Sequence, residues 1–288
     1  MTIALQTYII TFLLIASATA LNAQAKSDKN MATEIVSMSE ESLISDDILN
    51  KYDGREIGRA IVKRVQIRET SKSDSTSGYY DFKNSSQIMM VISEAKLSNI
   101  LYYKKFLNCH QNTSRLDCNG YDVYYPATKM SGLRFPESQK AYEALPHYAY
   151  LMLDFNQPKI WRTRLDKMYG NVIAVFKNNI KDQVTFSAGN SWVIRQNVHT
   201  LDFKSNAPFP EPDYQREYPV GPSWGHHWEA QIWGLIELED VDYFMVNCDF
   251  FGEASKKALD ELRLSGKQVF QCLNDSLNSE IRTGEKLF

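Results

Sequence analysis

The stretch HHWEAQIWGLIELEDV, residues 226–241, sets histidines, tryptophans and a glutamate at the head of an alternating apolar run. Strand side chains alternate with period two, so a strand beginning at Trp228 puts Glu229, Gln231 and Trp233 on one face. Ala230 and Ile232 then face the other side, where a core belongs. A carboxylate held at the floor of a cleft is a group that can stabilise positive charge as it develops during a reaction. The plainer alternative makes Glu229 a solvated edge residue and the tryptophans packing groups.

Other chemistries find less in the chain. His226 and His227 are adjacent, and adjacent strand residues point to opposite faces, so regular β geometry does not bring both to one ion. His110, His147 and His199 stand singly, and no H-E-x-x-H occurs, so no metal is expected. There is no G-x-S-x-G elbow, no G-x-G-x-x-G and no P-loop, which argues against the common hydrolase, dinucleotide and nucleotide folds. A formal net charge of -3 lacks the basic excess that nucleic acid attracts, and none is expected as a partner.

The elements that must position Glu229 follow from periodicity. Residues 55–69, REIGRAIVKRVQIRE, carry Ile57, Ile61 and Val65 at the spacing of an amphipathic helix. Arg55, Arg59, Lys63 and Arg64 fall on its other face, read as a solvated face. SSQIMMVIS (85–93) reads as a buried strand, and EAKLSNILYYKKFLN as a helix capped by Ser93. Strands are expected at 148–153, 170–177, 183–188, 192–196, 230–238 and 241–248. Residues 254–280 are expected to be helical, with Gly266 as a joint between two segments. The fold class is α+β, a mostly antiparallel β core with helices at the front and the C-terminus.

The ends and the cysteines bear on compartment. Tyr8–Ala20 is an apolar run too short for a comfortable membrane span, and Ala23-Gln24-Ala25 makes an A-x-A pattern with a cut expected after Ala25. The reading is a signal peptide over 1–25, then a polar lead-in over 26–78 with the amphipathic helix and a Ser-rich linker at 71–78. A single α+β domain covers 79–288. A retained anchor is the alternative to cleavage. The mature chain is expected to be secreted or periplasmic, with no membrane partner once the signal is cut. Cys109, Cys118, Cys248 and Cys272 then meet oxidising conditions, which favour disulfides, a local Cys109–Cys118 bridge first among the pairings.

Four segments occur in order: FLNCHQNTS (106–114), YGNVIAVFK (169–177), VTFSAGNSW (184–192) and WEAQIWGLIELEDV (228–241). Together they resemble an uncharacterised bacterial domain family that in turn looks like the ADP-ribosyltransferase fold. The resemblance covers roughly residues 85–248. It implies an ADP-ribosyltransferase-like scaffold that takes NAD as substrate and passes ADP-ribose to a protein or small-molecule acceptor. It makes Glu229 the catalytic carboxylate and places Thr113 and Ser114 in the Ser/Thr segment. His110, Gln231 and Trp233 join them as NAD-binding candidates. The chain departs from the pattern in three places: QIMMVIS lacks a His or Arg, Asn190 replaces an Asp, and His227 stands two positions before the glutamate. Those departures keep a second function open, a secreted binding module on the same scaffold without turnover.

Overall fold

The computed structural model describes residues 34–70, 81–108, 111, 124–153, 170, 172–187, 198–203, 228–246, 253–273 and 282–286. In chain order the elements are β1 (Ser42–Leu43), α1 (Asp46–Lys51), α2 (Gly54–Thr70), α3 (Phe82–Ser85), β2 (Ser86–Ile92), α4 (Glu94–Tyr103), α5 (Tyr124–Ser131) and β3 (Leu133–Arg134). They continue with α6 (Gln139–Ala144), β4 (His147–Leu153), β5 (Val172–Phe176), β6 (Val184–Ser187), β7 (His199–Thr200), β8 (Trp228–Ile232), β9 (Val241–Val246), α7 (Glu253–Leu264), β10 (Gln268–Leu273) and β11 (Arg282–Lys286). Among the described residues, nine strands form one sheet in the order β11-β10-β9-β5-β2-β4-β8-β6-β7. Of the pairings described within that sheet, only β9–β10 is parallel. The α+β class with a mostly antiparallel sheet is therefore as expected.

Alternation decides which side chains each face receives. Ile88, Ile92, Leu151, Ala174, Ala230, Ile232 and Phe244 face a core closed by Leu97 and Ile100 of α4 and by Ala258 and Leu262 of α7. Their neighbours in sequence turn the other way, where Met89, Val175 and Met245 pack with Tyr150, Ile173, Tyr243 and Phe270. Helix α4 starts where the sequence says it should, since the Ser93 hydroxyl accepts from the Lys96 amide at 3.3 Å. Such a cap contributes about 1 kcal/mol.

Helix α2 shares a third core with the elements around the end of β8. Ile57, Ala60 and Ile61 pack with Leu49, Leu133 and Trp233. The contact is made backbone to backbone: a Cβ at Gly58 would lie 2.1 Å from the Trp233 carbonyl oxygen. A Cβ at Gly234, where φ is +80°, would lie 1.8 Å from the Gly54 carbonyl oxygen. The Ser-rich linker at 71–78 lies outside the described residues.

Four expectations are corrected. The helix expected over 94–108 stops at Tyr103, where Lys104 turns left-handed, and the strand expected over 230–238 ends at Ile232. The other two concern the ends of the chain. The described part of the lead-in, from residue 34, packs into the fold: Ile35 and Ile44 are fully buried, and β1 pairs with β3. What fixes it is Arg64, expected on a solvated face but only 4% exposed. Its guanidinium donates to the carbonyls of Ile35 (3.5 Å), Val36 (3.2 Å), Met38, Ser39 (3.1 Å), Ser131 (3.1 Å) and Gly132 (3.2 Å). An arginine presents five N–H donors and keeps its charge, so a buried one needs such a set of acceptors.

The last correction is at the C-terminus. The expected helix over 254–280 stops at Leu264, and Gly266 follows with φ +72°. A left-handed residue ends a helix, and glycine takes that conformation without steric penalty. The chain then enters β10 with Val269 in the core and Phe270 on the opposite face, a period-two pattern that a helix cannot satisfy. Cys272 thus lies on a strand, and β10 runs beside β9 with Gln271 opposite Val246. Cys109, Cys118 and Cys248 lie outside the described residues.

Candidate functional site

Strand β8 runs between β4 and β6, so it is an interior strand rather than an edge. Residues directly opposite each other in an antiparallel pair share a face. Glu229 is opposite Tyr150 on β4 and Ser187 on β6, while Gln231 is opposite Tyr148 and Thr185. Ala230 is opposite Ala149 and Phe186, on the core side. The expected division of the strand into a polar and an apolar face therefore holds.

The polar face is buried and bonded. Glu229 is 9% exposed, and Thr185, Ser187 and Gln231 are fully covered. Gln231 Nε2 donates to Glu229 Oε1 at 2.9 Å and lies 3.2 Å from Ser187 Oγ. Thr185 Oγ1 donates to Gln231 Oε1 at 3.0 Å and accepts from Trp233 Nε1 at 2.8 Å. An unpartnered amide or hydroxyl buried here would cost roughly 1–3 kcal/mol, so this network is a condition of placing polar residues on an interior strand. The solvated-edge alternative for Glu229 does not fit a residue so covered.

Trp233 belongs to the α2 core. It is 0% exposed, and its ring stacks on Phe135 with centroids 6.5 Å apart. The ring therefore offers no open face to a ligand in this arrangement; its indole N–H is the part that reaches the network.

His110, Thr113 and Ser114 lie outside the described residues. The part of that segment which is described begins on the other side of the sheet: Phe106 packs in the core with Ala230 and Ile232. Its amide bonds the Ile236 carbonyl at 2.9 Å, and Asn108 Nδ2 donates to the Tyr142 carbonyl. Thr185 and Ser187 are the residues that sequence reasoning missed. The signal was available, because TFS in VTFSAGNSW puts two hydroxyls on one face, as EAQ puts the carboxylate and amide.

The single histidines have separate roles. His199 Nδ1 lies 2.8 Å from Glu69 Oε1, and Thr200 donates to Glu69 Oε2 through its hydroxyl at 2.8 Å, fastening α2 to the edge strand β7. His147 lies opposite Ile232, and burial, with a smaller contribution from Lys96, pushes its pKa down to about 4. An unfolded histidine titrates near 6.5, so between about pH 6.5 and 4 the unfolded chain binds more protons than the folded one. Stability should therefore fall as the pH falls through that window, by on the order of 3 kcal/mol in all. Urea midpoints at several pH values check this. The slope in the window should flatten in His147→Asn, and an unchanged slope there would remove His147 as its cause.

Among the described residues no group of three His, Cys, Asp or Glu side chains is placed to hold a metal ion. None of the described helices is long and apolar enough to cross a membrane. Neither a family model nor a curated protein matches the chain.

Proposed function

We propose that this is an exported protein with an ADP-ribosyltransferase-like fold that cleaves NAD and passes ADP-ribose to a protein or small-molecule acceptor. The supporting observation is the pairing of β6 with β8. It joins VTFSAGNSW and WEAQIWG, two segments of the ordered set, with Ser187 opposite Glu229 and Thr185 opposite Gln231. In the reaction the bond between ribose C1′ and the nicotinamide nitrogen breaks, and its electron pair leaves with nicotinamide. Positive charge grows on the ribose, and a fixed carboxylate lowers the energy of that state because it need not reorganise. An acceptor lone pair then bonds C1′, and the acceptor proton passes to solvent. Glu229 supplies the carboxylate, and Gln231 holds one of its oxygens. His110, Thr113 and Ser114 complete the proposed NAD contacts.

The test is incubation of the mature chain with labelled NAD and several acceptors, followed by measurement of free nicotinamide. No release above a Glu229→Gln control would favour the second reading, a binding module without turnover. The complete enclosure of Trp233 is the observation on that side.

Export is part of the same proposal, with Lys26 as the mature start and the cysteines paired. Mass spectrometry of the chain recovered from the envelope or medium should show that start and two disulfides. A chain that retains Met1 and four alkylatable thiols would refute both.

A further inference from the structure

The contacts around Gln231 have a direction. An indole N–H can only donate, so Trp233 Nε1, 2.8 Å from Thr185 Oγ1, occupies a lone pair of that hydroxyl. The hydroxyl hydrogen is then free to point at Gln231, and the atom it meets at 3.0 Å is Oε1. With its oxygen committed to Thr185, the amide has only its NH2 group left to turn toward β8, and Nε2 meets Glu229 Oε1 at 2.9 Å. A carboxylate oxygen accepts, so this amide orientation suits it. The reverse orientation would set the amide oxygen against the carboxylate.

We infer that Trp233 and Thr185 are positioning residues for Glu229, acting through Gln231 as a one-way chain of hydrogen bonds. Every link is buried: Thr185, Gln231 and Trp233 are 0% exposed. In such surroundings hydrogen bonds in series polarise one another. The negative charge on Glu229 pushes electron density through the amide toward its oxygen, making it a better acceptor for Thr185, whose own oxygen becomes a better acceptor for the indole. The chain gives a buried tryptophan a function that packing alone does not require. Its consequence for turnover rests on the NAD-cleaving reading above, while the orientation of the carboxylate does not.

The experiment reads the indole N–H resonances of the isotope-labelled mature chain at neutral pH. The chain has five tryptophans, and Trp233→Phe assigns the peak of interest by its loss. Replacing Glu229 by Gln removes the charge and should move the Trp233 indole proton upfield. The same replacement made in a Thr185→Val background should leave that proton unmoved, and Thr185→Ser, which restores a hydroxyl, should restore the response. Gln231→Leu is a second interruption and should also abolish it, so the test does not hang on one variant folding. The dispersion of the backbone amide resonances reports that the fold is kept. An indole that ignores Glu229→Gln in the otherwise unaltered chain, or that responds equally with the chain interrupted, overturns the inference. No NAD is present, so this outcome is separate from the success or failure of the nicotinamide assay.

Discussion

Replacing Glu229 by Gln is expected to lower nicotinamide release from NAD by at least about a hundredfold, with the fold intact. The substitution keeps the shape of the side chain and removes its charge, so the loss isolates the electrostatic contribution. Removing one preorganised group that faces developing charge costs two to three orders of magnitude in well-studied sites, or roughly 3–4 kcal/mol of barrier. Glu229 meets the structural condition for an effect of that size: it is 9% exposed and one oxygen is fixed by Gln231. In a solvated position water would screen the charge and the same change would be small. The measurement is the initial rate of nicotinamide release under saturating NAD, with circular dichroism to confirm the fold. A rate within threefold of the unaltered chain would end the catalytic reading of Glu229.

Gly58→Ala should destabilise the fold by about 3 kcal/mol, although alanine is the better helix former. The propensity gain in an exposed helix would be about 1 kcal/mol in alanine's favour. Against it stands a clash, since the new Cβ would lie 2.1 Å from the Trp233 carbonyl oxygen and 3.2 Å from Gln183 Oε1. Backbone cannot turn aside as a side chain can, so α2 must move outward by roughly 1 Å, loosening the packing around it. That opens the core in which Ile57, Ile61 and Trp233 meet. The clash is the larger effect, and urea denaturation reads the difference. An unaltered or raised midpoint would show that the helix can shift without loss, and that the close approach is not what holds it there.

The elements around Glu229 were legible in the sequence for a local reason. Short apolar runs in QIMMVI, VIAVF and VDYFMV, and alternation in EAQI, are properties of neighbouring residues. They mark β2, β5 and β9 within a few positions, while the strand expected over 230–238 runs over Trp228–Ile232. The Ser93 cap is equally local. The division of β8 into Glu229 and Gln231 against Ala230 and Ile232 follows from the same period, so half of the site could be placed before any strand was paired. The other half needed pairing. That Ser187 lies opposite Glu229 depends on β6 being the neighbour of β8 in one register, and nothing within either segment states it.

Where the sequence misled, a local pattern had two meanings. Val269, Phe270 and Cys272 suit either a continuing helix or a strand, and the parallel pairing with β9, which is non-local, decides for β10. Arg64 sits in a run of basic residues that reads as a wet face. Its burial depends on carbonyls contributed by residues 35–39 and 131–132, which only the assembled fold brings within reach. The short helices α1, α5 and α6 carry too few turns for periodicity to register.

The Arg64 cage makes residues 34–44 behave as a ligand that the chain carries for itself. Part of its acceptors, the carbonyls of Ile35, Val36, Met38 and Ser39, arrive on a segment tethered to α2 through residues 45–53. A tethered segment is present at an effective concentration set by its connection and not by the amount of protein in solution. Dilution therefore does not empty the cage. A free peptide copy of 34–44 could displace the resident segment only by exceeding that concentration, and each departure would leave a guanidinium that cannot shed its charge facing the interior. The segment is bound as an affinity, and its occupancy and the seating of α2 rise and fall together.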